Sequence, residues 1–397
     1  MKIAIVGLGT AGAASALLLS RAGHDVTVFE RVPEPGPVGA GIMMQPSGLL
    51  VLERLGCAAP ILAHGAHVDA LVVKTTSGRS LMDLRYADLE EGLFGVGLHR
   101  GVLFETLYGA VRASAIDLRL GVDVVALRGR ALHDREHRAH GPFDLVVLAD
   151  GARSHLRDSL PSLTKSVRHY PWGALWFIGA WREPTHELRQ FVEGTSHMVG
   201  VLPTGLGPGG ASEPLASLFF SVRVDGHERV FADGLDAWKR SVRRVAPIAE
   251  PLLDQIHAPH ALTFASYYDV SMPRWHADRV VLLGDAAHAT SPQLGQGCNL
   301  ALCDAAALAD ALAENERLDD ALDAYTRARR EHLAFYQLAT RALTPLFQSD
   351  FEPLALLRDF ATPLATRAAF VRREMIRAMA GTKTGWLVGS RETRMPR

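Results

Sequence analysis

Lys2–Val6 is a short run of apolar and β-branched residues that ends on Gly7-Leu8-Gly9-Thr10-Ala11-Gly12 and continues into small residues as far as Ala22. A buried strand, a glycine turn and a helix of small residues form a βα unit. Gly23-His24 and the run at 25–29 (DVTVF) then supply a second strand. Gly7 permits the tight turn, Gly9 lets backbone amides approach a pyrophosphate, and Gly12 lets the helix pack on the strand. Thr10 and Ala11 supply further amides at the helix start. Glu30 closes the second strand, where a carboxylate can accept the ribose hydroxyls of an adenosine, and Arg31 follows it. The opening predicts a dinucleotide site and leaves NAD or FAD open.

A second glycine-rich segment lies far downstream. Residues 279–283 (RVVLL) read as another buried strand, followed directly by 284–299 (GDAAHATSPQLGQGCN). NAD is held by one compact βαβαβ unit and its neighbour. FAD carries a ribityl chain and a flat ring that extend away from the first helix, so its far end needs a second strand–loop–helix. Asp285 can accept a ribityl hydroxyl, and Gly295 and Gly297 leave room for a ring against bare backbone. A helix from about Asn299 points its N-terminus at that ring. Its partial positive charge favours negative charge on a reduced flavin, by up to ~2 kcal/mol where partly buried. FAD is therefore the expected ligand. His288 reads as a residue that satisfies backbone groups in this loop rather than one that shuttles protons. Cys298 reads as a small residue fitting under the ring.

Between these segments the periodicity changes. Residues 67–85 alternate as two strands about a turn at Ser77-Gly78. Tyr170, Trp172, Ala174 and Trp176 share one parity, and Leu218, Phe220, Val222 and Val224 share another, the mark of antiparallel sheet. From about 300 to 341 the pattern is helical and alanine-rich, with further amphipathic helix around 361–380. The expected organisation is a discontinuous dinucleotide-binding domain (1–66, 86–169 and 271–340), an antiparallel sheet domain (67–85 and 170–270) and a C-terminal helical segment (341–397).

The segment 284–299 resembles the C-terminal signature of the FAD-dependent aromatic hydroxylases, the group that includes para-hydroxybenzoate and salicylate hydroxylases. Asp150-Gly151-Ala152-Arg153-Ser154, with Arg157, is similar to that family's DG motif, and Leu98-His99-Arg100 to its FAD-contacting arginine. With GxGxxG, Glu30 and the 39–41 loop ending on Gly41, the motifs run in the family's order along nearly the whole chain. The resemblance implies an α/β fold, with a Rossmann-like FAD-binding domain, an inserted antiparallel sheet for substrate and a helical tail. It implies that Gly7, Gly9, Thr10, Ala11 and Gly12 hold the pyrophosphate, Glu30 the ribose, and the Val124 backbone the adenine. Arg100 and Asp285 would hold the middle of FAD, with Pro292, Gly295, Gln296, Gly297, Cys298 and Asn299 beside the isoalloxazine. Asp150 and its neighbours are associated with both FAD and NAD(P)H. Trp172, Trp176, Phe219 and Tyr267 are candidates for the substrate pocket.

The activity so implied is a single-component monooxygenase. NADH or NADPH reduces FAD, dioxygen forms a C4a-hydroperoxyflavin, and one oxygen goes to a small aromatic substrate. No catalytic base is assigned, and no metal is expected. An FAD-dependent reductase or halogenase of the same fold, a flavin-free nicotinamide dehydrogenase, and a non-catalytic FAD-bound protein are the alternatives. The tryptophan pair WGALW lacks the W-x-W-x-I-P string of the halogenases. With 42 Lys and Arg against 43 Asp and Glu, the chain has no bulk charge to recruit nucleic acid or an acidic membrane. No apolar run reaches the ~18 residues of a bilayer span, and the basic tail 366–380 reads as a solvated face rather than a membrane anchor. Three cysteines without metal-ligand spacing fit a reduced, cytoplasmic protein. Oligomeric state is not legible.

Overall fold

In the computed structural model, which describes residues 1–385 apart from 38, 161, 162, 164, 165 and 184, the opening βαβ unit nucleates a six-stranded sheet. Its order is His276–Ala277, Val280–Leu282, Leu145–Leu148, Lys2–Val6, Asp25–Glu30 and Asp117–Leu120. The neighbours pair in parallel except the first two, which are antiparallel. Ile3, Ile5, Val28, Val147, Leu148, Val281 and Leu282 are fully buried, as befits parallel strands covered on both faces. The helices Thr10–Arg21 and Gly297–Glu314 pack against each other. Both carry buried alanines (Ala13, Ala14, Ala16; Ala301, Ala305, Ala309), which lets their axes approach closely.

A seven-stranded sheet lies alongside, in the order Thr263–Ser271, Ser166–Ala180, Pro214–Arg223, His197–Leu206, Glu187–Glu193, Ala70–Thr75 and Ser80–Arg85. The two sequence-distant segments join where Glu187–Glu193 pairs in parallel with Ala70–Thr75. Alternation sorts its faces. Leu218, Phe220 and Val222 pack against Trp238, Val242 and Val245 of the helix Leu235–Val245. Phe219 and Trp176, of the other parity, pack with Phe347.

Several limits expected from the sequence fall inside elements. Residue 67 sits in the strand Ala66–Val68, which belongs to a small sheet with Gly95–His99 and Gly41–Met44. Residue 170 sits within Ser166–Ala180, and 340 within the 30-residue helix Leu318–Phe347. The alanine-rich stretch divides into Gly297–Glu314 and Leu318–Phe347, and the tail pattern into Pro353–Arg367 and Ala369–Met379. Periodicity alone carries through such breaks because Asn315 and Ala368 disturb neither stripe.

Candidate active site

The first glycine motif is set by close approach at two positions and by open space at the third. Gly7 has φ +100°, and a Cβ there would lie 2.5 Å from the Ala149 carbonyl oxygen; one on Gly12 would lie 1.9 Å from the Gly7 carbonyl oxygen. A Cβ on Gly9 would meet nothing within 4 Å. The first intrahelical bond runs from the Ala13 amide to the Gly9 carbonyl at 2.9 Å, so the amides of Thr10, Ala11 and Gly12 precede it and point out of the helix start. The Glu30 carboxylate accepts from the Leu8 amide (2.9 Å) and the Val32 amide (3.0 Å), which fixes it at the mouth and leaves lone pairs for ribose hydroxyls. The Val122 amide donates to the Glu30 carbonyl at 2.9 Å, bringing the segment that ends on buried Val124 alongside. Arg31 is exposed.

The downstream glycines converge on this motif. A Cβ on Gly284 would stand 3.0 Å from the Ala11 Cβ and 3.4 Å from the Ala301 Cβ. The loop after Val280–Leu282 thus sits against the start of the first helix. Asp285 is exposed although the strand before it is buried, and its Oδ1 lies 3.9 Å from where a Gly297 Cβ would be. Arg157, fully buried, donates from one guanidinium nitrogen to the carbonyls of Ala152 (3.1 Å) and Ala286 (3.2 Å). One side chain so ties the DG segment to the GD segment. Asp150 Oδ1 is buried without a hydrogen-bond partner among the described residues, and burial raises its carboxyl above the ordinary carboxylate range. An orphaned acceptor, an open Gly9 and an exposed Asp285 just beyond a buried strand are the features a dinucleotide would satisfy.

The loop 292–299 supplies the far end. Gly295 adopts φ +61°, and Pro292 and Gly297 are exposed. The first intrahelical bond of Gly297–Glu314 runs from the Leu300 amide to the Gln296 carbonyl, so the helix begins two residues before the expected Asn299 and leaves the amides of 297–299 open. Three of the expected cofactor residues are also engaged within the protein. Asn299 is fully buried: its Oδ1 accepts from the Gln45 amide at 2.9 Å and its Nδ2 donates to the Met43 carbonyl at 3.0 Å. It stitches the helix to Gly41–Met44 and has only its backbone to offer a ring. The Gly41 amide is taken by Ser217 Oγ at 3.1 Å, and a Cβ on Gly41 would meet Ser217 at 2.6 Å, so this glycine serves sheet packing. Gln296 donates to the Met379 carbonyl at 2.7 Å and holds the tail beneath the loop. Arg100 is exposed, and its Cδ lies 2.9 Å from a Gly39 Cβ position. Burial pushes the Cys298 thiol up to about 12. It stays protonated at neutral pH, and we expect slow alkylation of the flavin-free protein, read by mass spectrometry.

A buried ionic chain braces the loop, and the sequence carries little sign of it. Asp304 accepts from the Gly284 amide (2.8 Å), His288 Nε2 (2.5 Å) and Arg329 Nε (2.7 Å). Arg329 reaches His332 at 2.6 Å, and His332 reaches the Gly381 carbonyl at 3.0 Å. His288 therefore satisfies a carboxylate rather than backbone groups. The one available signal was Arg329, which interrupts the apolar stripe Leu322, Tyr325, Leu333, Tyr336.

A cavity of about 330 Å³ opens next to the ring loop, between Tyr170, Trp172, Ser291, Thr344 and Gln348. Gln348 links the loop to the sheet, accepting from Gln293 and donating to Ser221, both at 2.9 Å. Of the candidate pocket residues, Trp172 lines this cavity. Trp176, Phe219 and Tyr267 form a separate cluster: Trp176 donates to the Tyr267 hydroxyl at 3.1 Å and stacks obliquely on Phe219.

The fold and site define a flavin-dependent dinucleotide-binding protein. The chain belongs to the FAD binding domain family, which it matches over residues 1–337. It is 33% identical over 373 residues to 3-amino-4-hydroxybenzoate 2-monooxygenase of Streptomyces cremeus, covering 83% of this chain and 86% of that one. It is 28% identical over 357 residues to 6-hydroxynicotinate 3-monooxygenase of Pseudomonas fluorescens, covering 83% and 88%. Among solved structures, PqsL of Pseudomonas aeruginosa in complex with 2-aminobenzoylacetate superposes with a TM-score of 0.79 at 25% identity, over 90% of this chain and 99% of that one. HpxO of Klebsiella pneumoniae, complexed with FAD, superposes with a TM-score of 0.79 over 96% of this chain and 99% of that one at 22% identity, a likeness of fold. The protein is an FAD-dependent monooxygenase that uses NADH or NADPH as reductant. No helix among the described residues is long and apolar enough to cross a membrane.

Proposed function

We propose that the chain hydroxylates a small aromatic ring already activated by a hydroxyl or amino group, and that the residues named above as cofactor ligands hold FAD. The observation that carries the reading is the cavity beside the ring loop, lined by Trp172, Ser291 and Thr344. About 330 Å³ lies at the small end of ligand pockets and admits one or two fused rings. Both named relatives act on single rings bearing hydroxyl groups.

Bound FAD supplies hydride acceptance from NAD(P)H and transfer of one oxygen atom from dioxygen. The protein's part is placement and exclusion of water. Trp172 and Tyr170 offer apolar faces. The guanidinium of Arg341 is taken by Asp269 (2.6 Å), and that of Arg223 by Asp225 (2.9 Å) and Asp350. The mouth therefore carries compensated charge. Tyr267 is half-buried in the neighbouring cluster, with its phenol pushed up to about 12 by desolvation, so it keeps its proton at neutral pH while its oxygen accepts from Trp176. A cytoplasmic location belongs to the same proposal, supported by a cysteine content of three in 397 residues without metal-ligand spacing.

The test is a panel of hydroxylated and aminated benzoates and pyridines, scored by oxygen uptake coupled to NADH or NADPH oxidation. One or more should trigger oxidation with hydroxylated product and little peroxide. Stoichiometric peroxide throughout contradicts the assignment. With a productive substrate, Trp172→Ala should raise KM about tenfold, roughly 1.4 kcal/mol of binding, while FAD content is retained.

A further inference from the structure

The helix Pro353–Arg367 is turned inside out. Its buried residues are Ala355 and Arg358, and Arg358 is 1% exposed. The Arg358 guanidinium donates to the carbonyls of Gly194 (2.8 Å) and Leu346 (2.9 Å), pairs with Asp359 at 2.7 Å and lies over the Phe347 ring. The apolar side chains point the other way. Leu356, Phe360 and Leu364 are 76%, 70% and 58% exposed, and Leu357, Phe351 and Phe370 are more than half exposed as well. A helix on a soluble protein ordinarily buries its apolar stripe and shows its charges to water. A contiguous exposed patch of this kind marks a contact surface.

The patch is self-complementary. Leu356 and Leu364 stand four residues either side of Phe360, and Pro353 and Arg367 seven either side. Two antiparallel copies related by a two-fold axis at Phe360 would set Phe360 on Phe360, Leu356 on Leu364 of the second copy, and the Glu352 end against the Arg367 end. Glu352 and Arg367 are both exposed, and neither has an ion-pair partner among the described residues. A lipid-docking helix draws its attraction from Lys and Arg on its polar face, whereas opposite charges at the two ends of a helix pair with each other across a two-fold axis. With about 150–250 Å² available on each aromatic ring, the exposed parts of these six side chains amount to several hundred Å² per copy. That supplies the apolar centre of an interface whose ordinary size is ~800 Å² per partner.

We propose that this face is the interface of a two-fold symmetric dimer of the chain, with Phe360 at the axis. The flavin-loaded protein should sediment at twice the chain mass. Phe360→Glu should sediment as a monomer with unchanged flavin content, since Phe360 touches no part of the cofactor site. Glu352→Arg and Arg367→Glu should each weaken self-association about tenfold, and the two together should restore it. A wild-type monomer that floats with anionic vesicles overturns the proposal in favour of a lipid surface. A dimer indifferent to Phe360→Glu overturns it as well, and failure of the charge swap to rescue overturns the antiparallel arrangement.

Discussion

Gly9→Ala should yield a folded protein that purifies without flavin, whereas Gly12→Ala should be markedly destabilised. The two glycines share one motif and differ in what a methyl group would meet. At Gly9 it meets nothing within 4 Å, so the flavin-free fold accepts it and the space meant for the pyrophosphate is lost. The expected loss is about a hundredfold or more in FAD affinity, ~2.7 kcal/mol, with the thermal midpoint of the flavin-free protein unchanged. At Gly12 the methyl would lie 1.9 Å from the Gly7 carbonyl oxygen, and backbone cannot step aside there without moving the helix off the sheet. Overpacking of this kind costs about 1–3 kcal/mol, occasionally more, and here the upper end is expected. Flavin content and urea unfolding separate the two outcomes.

Asp304→Ala is the second large effect. Its carboxylate is fully buried and holds His288, Arg329 and the Gly284 amide. Removing it leaves a guanidinium uncompensated in the interior, which costs about 3–5 kcal/mol. The pH dependence follows. His288 and Arg329 hold the Asp304 carboxyl well below the usual carboxylate range, against the opposing effect of burial. A carboxyl depressed on folding contributes stability above its unfolded value of about 3.9 and loses it as pH falls towards the folded value. Asp304→Asn should therefore flatten the acid limb of the stability profile, measured by urea unfolding at stepped pH. An unchanged limb would mean that another carboxylate governs acid unfolding.

What could be read from the sequence was what repeats or what needs glycine. The βαβ opening, the parity of Trp172 and Trp176 against that of Leu218 and Phe220, and the strand before Gly284 are local patterns, and each appears where its period placed it. The brace behind the loop was hidden, because Asp304, Arg329 and His332 come together only through tertiary packing, and each alone reads as a helix residue. The structural contacts of Gly41 and Asn299 were hidden for a similar reason. Both sit in motif positions, yet their polar groups are consumed by Ser217, Met43 and Gln45. Nor did the sequence show that Gln296 would reach the tail at Met379, a contact across 83 residues that spans the whole C-terminal helical region.

Hydrogen exchange on the flavin-free protein titrated with FAD tests the central claim, that one cofactor is held between two remote glycine segments. At one equivalent, amides of 7–12 and of 284–299 should gain protection together and to the same saturation. Protection confined to 7–12 and the neighbouring 121–124, with 284–299 exchanging as before, would contradict the account.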